Sequence, residues 1–547
     1  ADQNSSVESL ISLVQAMLRR GWSRIPGLFV VTQGAQTITA DPPELMPSLL
    51  WGLGRILSLE QPDILRRMID LPVGQPTPSL VDTLLLETQQ QDAEDQIVYR
   101  NGQRYVPRLV PAVHSMSEIH PLTIAPDGAY LITGGLGMLG LELSRWLAER
   151  GARHLVLTGR TGLPERSQWT SIAPDTLMGR RISAVQALEE MGVQITIARA
   201  DVSDRMAMKQ LFAQFGAALQ PLRGVIHAAG TNANQTVADL NFDTWRDVLK
   251  PKVDGAWVLH NLTTEIPLDF FVCFSSAASV WGSQGMAAYA AANHFLDQLA
   301  HYRRAHRLPA LTVNWGWWAG DGIATDEQLS LFAKVGMSTM PTEKALEALA
   351  QLIELDVTQE IVANVDWSVF APIYASRRER PFLSQIQIPA AEKIARTETE
   401  TMTEKNSLLG QLQALSSPEK QREMLTDYVR QVTAEVMGFD KSRVLNTREG
   451  FFKMGLDSLM TVQLRTRLEG TLGCSLPPTI AFEYPTISQL AGYILQDVLH
   501  LPEKSAAVET MNQSESTQGD PELDALSDEN LLDLLDDELA KVDNLTK

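Results

Sequence analysis

Cysteine is nearly absent: Cys273 and Cys474 are the only two in 547 residues, far apart and with no histidine or further cysteine at ligand spacing. That argues against a disulfide framework or a zinc site, so no metal is expected and both are read as buried thiols. Long apolar runs are missing as well. No stretch reaches the roughly eighteen residues that a membrane span needs, and the N-terminus has no basic segment leading into an apolar one. Neither a span nor a signal peptide is expected, and the expected location is cytoplasmic. Positive charge is in short supply too: 46 Lys and Arg against 66 Asp and Glu leave a net charge of −20, which argues against a nucleic-acid partner.

What is present is ordinary globular material, 44% hydrophobic and 20% charged, in a chain longer than one core usually serves, so about two to four folded units are expected. Residues 389–406, PAAEKIARTETETMTEKN, are polar and almost free of large apolar side chains, which makes them a flexible linker. Such a linker has a root-mean-square reach of roughly 20 to 25 Å. Before it, β-rich runs at Tyr130–Thr133, His154–Thr158, Val193–Arg199, Gly224–His227, Phe270–Phe274 and Ala310–Asn314 alternate with stretches of helical period. This predicts α/β architecture, a parallel sheet covered by helices, with residues 1–113 repeating the theme more weakly. After the linker the period is helical throughout, with Leu425, Val429, Val432 and Val436 on one face, so residues 407–500 read as a small helical bundle.

The strand Tyr130–Thr133 runs straight into Gly134, Gly135, Leu136, Gly137, Met138, Leu139 and Gly140, and then into LELSRWLAER. A glycine cluster between strand and helix is the dinucleotide fingerprint. Gly135 and Gly137 permit the tight turn and the close approach of a pyrophosphate, Gly140 lets helix pack on strand, and the helix N-terminus faces the phosphates. At the end of the next strand, where NAD-preferring proteins carry an acid, stands Arg160, a cation suited to a 2′-phosphate. NADPH is therefore the expected cofactor; the other reading of Arg160 is an ordinary surface arginine. Asp201, after the following strand, is placed to meet the adenine edge. The segment Trp51–Leu57, WGLGRIL, imitates the fingerprint but has Leu57 where the third glycine belongs, so the N-terminal unit is read as structural.

The ordered set TGGLGMLG at Thr133–Gly140, HAAG at His227–Gly230, PKVDGAW at Pro251–Trp257, FSSAAS at Phe274–Ser279 and YAAAN at Tyr289–Asn293 resembles the short-chain dehydrogenase/reductase superfamily. Within it, the chain is similar to the ketoreductase domains of modular polyketide synthases, over residues 1 to about 388. LWGLGR near the start and VDWSVFAPIYASRRERPFL near the end belong to the same match. The resemblance implies two Rossmann-like subdomains, a truncated structural one over residues 1–118 and a catalytic NADPH-binding one over 119–388. It implies Tyr289 as proton donor, Ser276 as second donor to a ketone oxygen, Lys252 as the ammonium that lowers the phenol's pKa, and Asn293 beside them. In most of the superfamily the lysine stands four residues after the tyrosine; here that place is Asn293 and Lys252 lies on an earlier helix, the swap found in the polyketide branch. Beyond the glycine loop, the implied cofactor contacts are Thr133, Val202, Ala229, Gly230, Lys252 and Tyr289. Asn232, Ala233 and Asn234 stand where the opposite stereochemical group carries Leu-Asp-Asp. Trp281 marks the group giving the L-alcohol and Met286 replaces the histidine associated with epimerisation, so an A1-like, L-hydroxy product without epimerisation is expected. Trp281 as lid packing is the alternative.

In the helical bundle, Gly455, Leu456, Asp457, Ser458 and Leu459 resemble the GxDSL motif of acyl carrier proteins, with GFFKMG before and PPTIAFEYPTI after. This implies 4′-phosphopantetheine attached to Ser458 by a phosphopantetheinyl transferase; an N-cap is what Ser458 would otherwise be. Residues 501–547 carry 13 acidic side chains against three lysines, half the net charge, and end in the amphipathic LSDENLLDLLDDELAKV. They resemble the docking segments through which one polyketide synthase polypeptide meets the next, so a downstream polypeptide is an expected partner, and ketosynthase and acyltransferase domains are expected upstream. The expected activity is reduction of a carrier-bound β-ketoacyl thioester; a catalytically silent scaffold that only organises carrier and docking helix is the rival reading.

Overall fold

The computed structural model describes residues 3–20, 26–38, 41–74, 77–113, 121–319 and 332–387 and, with short interruptions, residues 408–499. The linker at 389–406 and the acidic tail at 501–547, with its expected helix, lie outside the described residues.

The N-terminal unit runs α1 (Gln3–Arg20), β1 (Leu28–Gln33), α2 (Ser48–Glu60), β2 (Leu65–Leu71), α3 (Pro78–Gln89), β3 (Gln96–Arg100) and β4 (Gln103–Tyr105). Its sheet has the order β1-β2-β3-β4. The first three strands are parallel, and β3 and β4 form an antiparallel hairpin turned by Asn101 and Gly102, both at positive φ. The strand order advances in one direction only, so among the described strands there is no point of reversal at which a nucleotide crevice would open. The fingerprint imitation at WGLGRIL is helical and lies inside α2. A Cβ on Gly52 would stand 2.5 Å from the Cα of Ala291, and one on Gly54 would stand 2.5 Å from the sulfur of Met68. These glycines let α2 seat directly on the next unit and on its own sheet.

That next unit comprises β5 (Ala129–Thr133), α4 (Met138–Glu149), β6 (His154–Gly159), α5 (Leu177–Glu190), β7 (Gln194–Arg199), α6 (Arg205–Phe212), β8 (Leu222–His227), α7 (Phe242–Lys252), α8 (Asp254–Thr263), β9 (Phe270–Ser276), α9 (Ala287–Ala305) and β10 (Leu311–Trp315). Short strands β11 (Met337–Ser338), β12 (Gln359–Val362) and β13 (Asn364–Val365) follow. Seven strands pair in the order β12-β10-β9-β8-β5-β6-β7, all parallel. The order reverses between β5 and β8, which opens a crevice at their carboxyl ends. Sequence periodicity located six of these strands; β12, QEIV at a sheet edge and only half-buried, has too little apolar character to announce itself.

Alternate residues of the central strands feed two cores, as a pleat with both faces covered requires. Leu131, Val225, Phe271 and Cys273 join α7, α8, α9 and the N-terminal α2 on one face. Tyr130, Ile132, Ile226, Val272 and Phe274 pack with α4 and α5 on the other. Cys273 is buried as expected, whereas Cys474 is only half-buried, because it sits beyond the end of a carrier helix.

The helical bundle has helices at Pro418–Val436, Ser458–Leu472, Ile480–Glu483 and Ile487–Tyr493. Leu425, Val429, Val432 and Val436 meet Phe451, Leu464, Leu468, Ile487 and Leu490 in a core of their own. Among the described residues no helix is long and apolar enough to cross a membrane, and no group of three or more His, Cys, Asp or Glu could hold a metal ion.

Candidate active site

The crevice at the β5–β8 reversal is a cleft of about 1020 Å³. Gly134, at φ +68°, turns the chain out of β5 in a conformation that glycine adopts without strain. A Cβ on Gly140 would stand 2.5 Å from both the Gly134 oxygen and the Gly135 Cα, so loop and helix can close only on glycine. Helix α4 then opens at Gly137 with no side chain capping its first turn, and Gly134, Leu136, Gly137, Met138, Leu139 and Gly140 all line the cleft. A bare, glycine-lined helix N-terminus in a crevice fits a pyrophosphate.

Two predicted cofactor residues stand behind this wall. Thr133 is fully buried: its hydroxyl meets His227 Nδ1 at 2.7 Å and accepts from the Ala229 N–H at 3.2 Å, fastening the ends of β5 and β8 together. Gly135 lies against Leu157, whose Cβ would be 2.7 Å from a Cβ there. The others, Arg160, Asp201, Val202, Ala229 and Gly230, line the cleft. Arg160 is exposed. The Asp201 carboxylate accepts from the backbone N–H and hydroxyl of Ser203; burial pushes it up, but those bonds hold it below the usual carboxylate range.

The catalytic candidates arrive from three elements: Lys252 ends α7, Ser276 ends β9 and Tyr289 lies in the first turn of α9. All three line the cleft. Lys252 is 3% exposed, donates to the Phe274 carbonyl at 2.8 Å, and stands 5.7 Å from the centre of the Tyr289 ring. Its stem passes where a Cβ on Gly230 would stand, 2.7 Å from Lys252 Cε, which explains the glycine of HAAG. Asn293 is fully buried behind Tyr289 and donates to the Tyr289 carbonyl at 2.7 Å; its Oδ1 has no partner among the described residues.

Burial holds Tyr289 above its ordinary value, and the opposing pull comes from the side chains of Ser276 and Asn293. Burial likewise pushes Lys252 down to about 8 and His227 to about 3, so His227 is a neutral imidazole. Trp281 lines the cleft and is also packed edge-on against Trp367 and Phe370.

With this geometry in view, three family models match: "KR domain" over residues 128–320, "Phosphopantetheine attachment site" over 427–494, and "Polyketide synthase extender module SpnB, Rossmann fold domain" over 1–109. A solved structure described as A-type ketoreductases from a modular polyketide synthase is 35% identical, with a TM-score of 0.61, covering 69% of this chain and 76% of that one. The chain belongs to the ketoreductases of modular polyketide synthases. The first ketoreductase of the tylosin synthase gives 32% identity and a TM-score of 0.60, covering 70% and 79% of the two chains. Among curated proteins, a phenolphthiocerol/phthiocerol polyketide synthase of Mycobacterium bovis is 33% identical over 494 residues. That match takes in 90% of this chain and 30% of the relative. Polyketide synthase GfsA of Streptomyces halstedii is 35% identical over 497 residues, 89% of this chain and 6% of the relative. The ketoreductase chain thus spans less than a third of either relative.

The family is one of NADPH-dependent oxidoreductases, and the second matched domain implies a covalent phosphopantetheine. In the carrier, Gly455, the first residue of the motif, ends a turn at φ +102°, and the helix begins at Ser458. Sequence reasoning missed three charged residues of the ketoreductase cleft, Arg181, Asp247 and Lys250. Each sits on a helix whose apolar pattern says nothing about which end meets the crevice. It also missed the buried Asp297, whose carboxylate takes bonds from Ser279 at 2.7 Å and Asn314 at 2.9 Å behind the β9 turn. The spacing between these residues carries no signal.

Proposed function

We propose that this chain reduces a β-ketoacyl thioester carried on Ser458 to the β-hydroxyacyl thioester during polyketide chain extension, using NADPH. The observation that carries the reading is the convergence of the glycine loop, Lys252, Ser276 and Tyr289 on one cleft. When bound there, NADPH supplies the hydride. Gly134 to Gly140 would hold its pyrophosphate, and Arg160 its 2′-phosphate. Tyr289, held in its acid form, gives its phenolic proton to the ketone oxygen, and Ser276 donates a second hydrogen bond to the charge developing there. Lys252 places a positive charge beside the phenol as its proton leaves.

The proposed division has residues 1–118 as structural subdomain, 119–388 as catalytic subdomain, 389–406 as linker, 407–500 as carrier and 501–547 as docking segment. Trp281 and Met286 on the cleft wall favour the L-alcohol without epimerisation, and the solved relative described as an A1-type ketoreductase, at 35% identity, agrees with that choice. The acidic tail favours a basic, apolar-grooved surface on a downstream polypeptide. The test is a β-keto N-acetylcysteamine thioester with NADPH, followed by cofactor absorbance and chiral chromatography. Consumption of NADPH that is lost in Tyr289→Phe supports the reading; an inactive wild type supports a silent scaffold, and a D-alcohol removes the stereochemical assignment.

A further inference from the structure

The loop after β8 and the loop before α9 both reach the cleft, one with Thr231 and Asn232, the other with Trp281, Ser283 and Met286. Neither is regular structure, so something must hold them in register. They touch each other at one bridge, Gln235 beside Met286, with the Gln235 N–H donating to the Gly285 carbonyl at 2.8 Å. Gly285 has φ +74°, a conformation that strains any other residue, and a Cβ there would lie 2.0 Å from Asn234 Oδ1.

The remaining fastening comes from the N-terminal unit. Glu60, the last residue of α2, is 7% exposed. One carboxylate oxygen accepts from the Val237 N–H at 2.7 Å, and the other accepts from the Gly285 N–H at 2.7 Å. The two donors lie on the two different loops, 177 and 225 residues away in sequence. The end of α2 is itself seated against the second loop: a Cβ on Gly282 would be 2.5 Å from Leu59 Cδ1 and 3.3 Å from the Arg55 carbonyl. Arg377 donates to the Glu60 carbonyl at 3.1 Å, and Gln15 of α1 donates to the Val237 and Leu240 carbonyls at 3.0 and 2.8 Å, holding the first loop from a second helix.

We propose that Glu60 is a positioning residue for the substrate: its carboxylate clamps the 231–237 loop to the 282–286 loop and so fixes the cleft wall that carries Trp281 and Met286. A carboxylate is needed because both partners are buried N–H groups, and only a side chain with two acceptors satisfies both. Glutamine keeps the shape but turns one acceptor into a donor facing a donor. The N-terminal unit, whose described strands have no reversal at which a nucleotide crevice would open, thereby acts on the reaction through the wall of its neighbour's cleft. The inference rests on the reduction proposed above.

The test compares the full chain with its Glu60→Gln and Glu60→Ala variants by amide hydrogen exchange and by reduction of an α-methyl-β-keto thioester. Exchange at 231–240 and 281–286 is expected to rise about tenfold in Glu60→Gln, while that at 134–140 stays unchanged. The KM for the thioester and the share of minor stereoisomers are expected to rise about fivefold or more, with NADPH affinity within about twofold of wild type. A merely structural glutamate would change overall stability without moving the isomer ratio, which overturns the proposal. Unchanged exchange in both loops overturns it as well, whether or not the chain is active. If Glu60→Ala exchanges globally, Glu60→Gln decides. A wild type that yields no alcohol removes the reduction and, with it, the role in selectivity, even where exchange still reports the clamp.

Discussion

Replacing Lys252 by methionine separates the demands of catalysis from those of folding. The ammonium is buried and its hydrogen bond goes to the Phe274 carbonyl at 2.8 Å. Burial lowers it from 10.5 to about 8. At about 1.4 kcal/mol per pH unit, that shift puts a cost of about 3 kcal/mol on the folded, charged state at neutral pH. Methionine keeps most of the stem and removes the cost, but it leaves the buried Phe274 carbonyl without its donor, a loss of about 1 to 3 kcal/mol. At pH 7 the variant is therefore expected to lie between unchanged and about 2 kcal/mol more stable. Activity is expected to fall about 10²- to 10³-fold, the usual loss for one preorganised group at a developing charge.

The sign with pH follows from the same numbers. The folded value lies below the unfolded one, so between about 8 and 10.5 the unfolded chain binds the extra proton and wild-type stability rises through that window. The variant lacks this rise. Wild-type kcat/KM, in turn, is expected to fall as pH climbs past about 8 and the ammonium is lost. Urea denaturation at pH 7 and 9.5, with steady-state rates on a β-keto thioester, provides both readings. A variant more than about 1 kcal/mol less stable at pH 7, or one keeping activity within about threefold, refutes the reasoning.

Arg160→Glu is expected to shift cofactor preference from NADPH towards NADH by about tenfold or more in the ratio of kcat/KM, with stability within about 0.5 kcal/mol because the side chain is exposed. Gly52→Val drives a side chain into the backbone of Ala290 and Ala291, 2.6 and 2.5 Å away. It is expected to cost about 1 to 3 kcal/mol or more, read as a lowered Tm. An unchanged Tm would mean that α2 and α9 do not pack this closely. Ser458→Ala is expected to leave the helical circular dichroism intact and to abolish the mass gain on incubation with a phosphopantetheinyl transferase and coenzyme A; a gain in the variant places the arm elsewhere.

Much of the site was legible because its parts are local. The glycine loop is a strand, a turn and a helix written consecutively; Gly134 takes a positive φ, and a Cβ on Gly135 or Gly140 would strike its neighbours. Ser276 and Tyr289 sit on short runs that end a strand and open a helix. The carrier serine likewise begins a helix within a contiguous motif. WGLGRIL shows the limit of such reading: the same letters that could have bent round a phosphate are helical here, because Gly52 meets Ala291 rather than a turn.

The sequence by itself determined the family, the α/β order, the cleft-forming loop and the residues offered for chemistry, since each depends on spacing within a few turns of chain. Tertiary structure alone decided how they act. It placed Lys252 against the Phe274 carbonyl and set the Tyr289 phenol above its ordinary value by burial. It moved Thr133 behind the wall and brought Glu60 to two loops more than 170 residues distant. Burial and hydrogen-bond partners are properties of neighbours in space, and a pattern of letters fixes them only where those neighbours are also adjacent along the chain.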